Sequence, residues 1–197
     1  MATGRTDAGA SGSTRDLILD AAAAAFAEHG FRQTSVSAVA RDLSISPSAV
    51  YFHFANKEQL FVAAYDRQAG LLADAVFAGE AQPIGDGYWL AIMSEFATRM
   101  VDYPLVMRVL CGNEPELLPR LATGEVSTRL RSELEVSLRK GQEIGRVRTD
   151  IDRDRVAGAL ESILLGLLIA MVQTGRASAP ERAEQVAELL RMAIEVR

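Results

Sequence analysis

Apolar residues recur at helical spacing along almost the whole chain, and this constrains the fold more than any other feature. Leu17, Ile18, Ala21, Ala22, Ala25 and Phe26 share one stripe, and Trp89, Met93, Phe96 and Met100 follow one another four, three and four residues apart. Sustained two-residue alternation is lacking, so strands have no signal. An all-α protein of about nine helices follows. All twelve aromatic residues lie at or before Tyr103, so the last 94 residues must be held by aliphatic packing alone.

Helix boundaries follow from local chemistry. Ser13 or Thr14 can cap a first helix that ends at His29–Gly30. Thr34 or Ser35 caps a short second helix with Val36, Val39, Ala40 and Leu43 inward, and Pro47 suits the first position of a third. Asn56 with Gln59 reads as a capping box for a long fourth helix. Pro83 and its neighbouring glycines mark a loop over 79–87, and Pro115 and Pro119 punctuate another. Gly145 and Gly175 end the later helices.

Composition excludes several classes. With 197 residues, 49% apolar and 24% charged, the chain can bury a core and is not disordered. Cys111 is the single cysteine, so no intrachain disulfide exists. Met1 to Gly12 has no apolar signal core and reads as a frayed tail. Val156 to Val172 is an apolar run of 17 residues interrupted by Glu161, at the short edge of the roughly 17–25 needed to span a bilayer. A buried helix and a soluble, cytoplasmic protein are expected. With only His29, His53 and one cysteine, no metal spacing, nucleophile elbow or phosphate loop is present. No catalytic residue, metal or cofactor is expected, and the chain is read as a non-enzyme.

Two short helices joined by a tight turn at Ser44–Ser46, under a first helix, form a helix-turn-helix pattern. Ser46, Pro47, Ser48 and Ala49 lead the recognition helix, where small side chains allow close approach to base edges. Tyr51, His53 and Lys57 offer donors to the sugar-phosphate backbone. Phe26, Phe31, Val39, Phe52 and Phe54 are expected in the core.

Thr14 to Tyr65 resembles the DNA-binding domain of TetR-family transcriptional regulators. The resemblance is carried by Ile18–Ala22, Phe26–Phe31, Thr34–Val36, Val39–Ala40, Ile45–Phe54 and Asn56–Leu60. It implies that Thr34 and Ser35 bond phosphate, that Ser46 to Ala49 lead the recognition helix, and that Tyr51 and Lys57 contact phosphate. After the tail read over 1–12, it implies a DNA-binding domain over 13–60 and a ligand-binding and dimerisation domain over 61–197. Three positions depart from the pattern. Ser44 stands where glycine is usual, Ala38 where an acid often completes a capping box, and Pro47–Ser48 where a basic and a small residue are usual. A left-handed serine costs up to roughly 1–2 kcal/mol.

In the C-terminal part, Trp89, Met93, Phe96, Met100 and Met107 are core or the wall of a pocket for an apolar or amphipathic ligand. Glu161 is charged inside an apolar run and needs a partner, in an ion pair, a ligand or water. Gly158, Ser162, Gly166 and Ala170 form a ridge of small residues, and Ala183, Val186, Leu190 and Ala193 a helix seam. The family's last two helices form a four-helix dimer interface, and these residues are read as that interface. The expected function is a homodimeric regulator, a repressor released by a small molecule from a pseudo-palindromic operator. An activator of the same fold, or a ligand-binding module without DNA binding, are the alternatives. Residues 1–60 hold five basic and six acidic residues within a chain of net charge -5. Selective contacts by hydroxyls, helix N-termini and Lys57, rather than a broad basic field, must therefore hold DNA.

Overall fold

The structure is a computed structural model that describes residues 13–85, 87–174 and 179–196, without the side chains of 179, 180 and 183. The tail expected over 1–12 and the helix end at Gly175 lie outside the described residues. The chain divides into two compact units after Ala64.

The first unit contains α1 (Thr14–Gln33), α2 (Val36–Asp42), α3 (Pro47–His53) and the start of α4 (Lys57–Val76). Ser13 caps α1, its Oγ accepting the Asp16 N–H at 3.2 Å. Helical geometry breaks at Gly30, with φ 77° and ψ 168°. That conformation is essentially reserved for glycine. It bends the chain where the sequence placed the end of the first helix. Ile18, Leu19, Ala22 and Phe26 are buried, as are Val39 of α2, Val50 of α3 and Leu60 and Phe61 of α4. Phe61 meets Phe26 edge-on, with ring centroids 4.8 Å apart, and lies 4.9 Å from Phe31. Such aromatic pairs add about 0.5–1.5 kcal/mol beyond area burial.

The second unit holds the rest of α4 and α5 (Tyr88–Arg99), α6 (Pro104–Leu110), α7 (Leu118–Thr123), α8 (Glu125–Glu143), α9 (Arg153–Thr174) and α10 (Ala179–Ile194). Short 3-10 turns cover Met100–Asp102 and Pro115–Leu117. Among the described residues the one β pairing is an isolated antiparallel bridge between Val147 and Glu195. The all-α architecture is therefore as expected. The stretch read as a loop between Pro115 and Pro119 instead runs into α7, because Pro119 sits in its first turn, where a missing N–H is harmless.

The aliphatic core of this unit is built from Leu130, Leu134 and Leu138 of α8 and Leu160, Leu164 and Leu168 of α9. Gly141 is required by packing, since a Cβ there would lie 2.5 Å from Val147 Cγ2. Gly145, at φ 73°, ends α8. Helix α9 is long and apolar enough to cross a bilayer by length and composition, with mean hydropathy 2.0 over an 18-residue window. One of its faces is core, and the other leaves Ser162 and Gly166 exposed.

Candidate nucleic-acid interface and C-terminal cavities

Helix α3 packs against α2. Val50 and Phe54, four residues apart, are both buried and pin its inner face. Ser46 caps it, Oγ accepting the Ala49 N–H at 3.3 Å, and lies 2.8 Å from Ser48 Oγ. Pro47 occupies its first turn. Ser46, Pro47 and Ser48 are exposed, and Ala49 is half-buried. The turn before it holds Ser44 at φ 56°, the one non-glycine residue with positive φ among those described. Ser35 caps α2, Oγ accepting the Ala38 N–H at 3.1 Å, which leaves its own hydroxyl hydrogen available to an acceptor.

Two expectations change here. Thr34 is buried, and its hydroxyl donates to the Gly30 carbonyl at 2.8 Å and the Ala25 carbonyl at 3.1 Å. Its single hydroxyl hydrogen is spent on closing the bend after α1, so it is not a phosphate donor. Phe52, expected in the core, is 85% exposed. Val50 and Phe54 take the inward positions, and a residue midway between them points about 200° around the helix, away from the core. Tyr51 is exposed beside it. His53 is half-buried, its ring 5.2 Å from that of Phe52. Lys57 is half-buried, with Nζ 4.4 Å from the Phe31 ring centroid and donating to the Arg32 carbonyl at 3.4 Å. Ser35, Ser46, Ser48, Tyr51 and Phe52 are thus all exposed in this unit, on short helices with capped starts.

In the second unit, Trp89, Met93, Phe96 and Met100 do share a face, and all four are buried in the core. Met107 is half-buried. Two described cavities lie elsewhere. One, about 490 Å³, is lined by residues including Phe77, Tyr88, Ile92, Glu95 and Glu133. The other, about 350 Å³, is lined by Ser127, Arg131, Glu135 and Glu161 among others. Of the six residues read as ligand-binding, Glu161 alone lines either of them. Its partner is a hydroxyl rather than the cation of an ion pair: Ser127 Oγ donates to Glu161 Oε1, while Arg131 pairs with Asp154 at 2.6 Å. Tyr88 donates to Ser137 Oγ at 2.8 Å, and burial above all pushes its phenol up to about 12, with Glu133 adding to the rise.

The small ridge of α9 has an open side. Gly166 has no neighbour within 4 Å of where a Cβ would stand, whereas Gly158 faces the Arg131 guanidinium at 3.4 Å. Ala170 is half-buried. On α10 the seam read from the sequence is out of phase. Leu190 and Ile194 are buried within the chain, while Leu189 and Met192 are 61% and 64% exposed and Ala193 is exposed. Val186 is half-buried, and the Ala183 side chain lies outside the described residues. The outer apolar face of α10 is Leu189, Met192, Ala193 and Val196.

Comparison with known proteins agrees with this arrangement. Residues 18–64 match the model of the tetR family of bacterial regulatory proteins. Over 92% of its length the chain is 25% identical to the HTH-type transcriptional repressor AcnR of Corynebacterium efficiens, covering 93% of that protein. It is 27% identical to the HTH-type transcriptional repressor Rv1474c of Mycobacterium tuberculosis, over 89% of this chain and 90% of that one. The fold matches the fatty acid degradation regulator FadR of Bacillus halodurans with a TM-score of 0.67 at 20% identity, over 92% of this chain and 96% of that one. A helix-turn-helix with an exposed, hydroxyl-led recognition helix, matching the tetR-family model and followed by an all-helical unit, makes this chain similar to the DNA-binding transcription regulators of the TetR family.

Proposed function

We propose that the protein acts in the cytoplasm as a homodimeric repressor that holds a pseudo-palindromic operator and releases it when a small molecule enters the second unit. The observation that carries this reading is the leading end of α3, where Ser46, Ser48, Tyr51 and Phe52 are all exposed on a helix fixed from behind by Val50 and Phe54. Ser46 to Ala49 approach base edges, while Ser35, Tyr51 and Lys57 hold the phosphates, with His53 beside them. Two such helices must sit about 34–36 Å apart to enter successive major grooves. The exposed apolar face of α10 and the open ridge at Ser162 and Gly166 support pairing of two copies, since a face of this kind is otherwise an aggregation liability. Helix α4 begins at Lys57 and ends at Val76, and Val76 and Phe77 line the larger cavity. A ligand that binds one state better than the other shifts the balance between them by that difference in affinity.

A gel shift with DNA from the gene's own upstream region tests the reading. The wild type should retard a specific fragment. The Tyr51→Ala, Lys57→Ala double variant should lose that shift while keeping its helical circular dichroism. Equal affinity for specific and unrelated DNA would exclude operator recognition.

A further inference from the structure

We infer that the larger cavity of the second unit takes an organic cation, with Glu133 as the charge that selects it. The inference rests on the ligand-responsive reading above and adds the chemical class of the ligand. The cavity, about 490 Å³, has the size of a small-molecule site. Its walls combine the rings of Phe77 and Tyr88 with apolar Val76, Ala91 and Ile92. The charged residues in its lining are Glu80, Glu95 and Glu133, with no lysine or arginine among them.

The three acids are not equivalent. Glu80 is held by Lys140 at 2.5 Å and Glu95 by Arg99 at 2.7 Å. Glu133 is half-buried and has neither an ion pair nor a side-chain hydrogen bond among the described residues. Arg129, one turn before it on α8, is committed to Asp74 at 3.1 Å. One turn after it stands Ser137, whose hydroxyl already takes the Tyr88 proton. An uncommitted carboxylate at an aromatic wall disfavours anions. It offers a cation both charge pairing and attraction to the ring faces. Neutral apolar compounds would gain only the walls.

Two lipophilic ions of matched shape and opposite charge separate these cases. Tetraphenylphosphonium and tetraphenylborate are titrated calorimetrically into the full chain, with and without a bound operator fragment. The wild type should bind the phosphonium at least ten-fold more tightly than the borate. Glu133→Gln should weaken the phosphonium about ten-fold and narrow the discrimination. Ile92→Trp, which fills the cavity, should abolish binding of the phosphonium. Equal binding of both ions, no binding of the phosphonium, or phosphonium binding indifferent to Glu133→Gln and Ile92→Trp would each overturn the inference. Should Glu133→Gln lower the thermal midpoint, the Ile92→Trp comparison decides alone. Phosphonium binding that follows these variants but leaves operator affinity unchanged supports the cation site and counts against ligand-driven release.

Discussion

Ser44 holds a φ of 56° in the turn between α2 and α3. A Cβ in that region is crowded by the backbone, and the cost is roughly 1–2 kcal/mol. Glycine would remove this strain while losing about 0.5–1 kcal/mol to greater freedom of the unfolded chain. Ser44→Gly should therefore stabilise the protein by about 0.5–1 kcal/mol, seen as a thermal midpoint a few degrees higher; a lower midpoint would show that the hydroxyl matters more than the strain. Phe52 presents the opposite case. It is 85% exposed, so its ring holds nothing in the core together. Burying a Phe ring against DNA is worth about 1.5–3 kcal/mol. Phe52→Ala should leave the thermal midpoint within a degree or two and weaken specific DNA binding about ten-fold or more in fluorescence anisotropy. Unchanged affinity would return Phe52 to the role of a bystander. Phe52, expected in the core, is turned outward by the burial of Val50 and Phe54, whereas the strain at Ser44 could be read from the sequence, by comparison with the family pattern. Thr34 could not, because its partners at Gly30 and Ala25 exist only once α1 has bent.

At the scale of the element, caps and breaks were the most readable features. Asn56 Oδ1 accepts the Gln59 N–H at 2.8 Å, and Gln59 Oε1 accepts the Ala55 N–H at 3.0 Å, one residue before the position of an ideal capping box. Gly30 ends the regular part of α1 in a conformation closed to other residues. Gly30→Ala should cost about 1–3 kcal/mol in urea unfolding and lower DNA affinity only as far as it unfolds the domain. A cost below 0.5 kcal/mol would mean that α1 can continue straight through this position. Phase was harder to read than boundary. On α10, Leu189 and Leu190 are adjacent, and nothing in their chemistry tells which faces the chain's own core. The packing of the unit put Leu190 and Ile194 inside. On α5 the spacing of Trp89, Met93 and Phe96 identified a buried face, but the cavity lies along Tyr88 and Ile92, on a face whose mixed composition carries no such signal.

For the whole molecule, charge and surface act together. The chain has a net charge of -5, and its first 60 residues hold no excess of basic groups, so non-specific DNA binding is expected to be weak. Tight binding then requires two copies of a small contact set, which ties DNA affinity to dimerisation. Leu189→Asp with Met192→Asp places charge on the exposed apolar face of α10 without touching the core. Sedimentation of the wild type should give a dimer, and the double variant should sediment as a monomer with operator affinity at least a hundred-fold lower. A double variant that remains dimeric would move the interface elsewhere. What the sequence determined by itself is the local order. Helical period, capping residues, glycine breaks and the helix-turn-helix spacing depend on neighbours within a turn or two, where backbone geometry and hydrogen bonding act. Tertiary structure alone decided which of two apolar faces is buried, which hydroxyls are spent inside, and which acid of the cavity has no ion pair among the described residues. These are decided by contacts between residues distant in the chain, such as Ser127 with Glu161 or Arg129 with Asp74. Periodicity limits such pairings but does not choose among them.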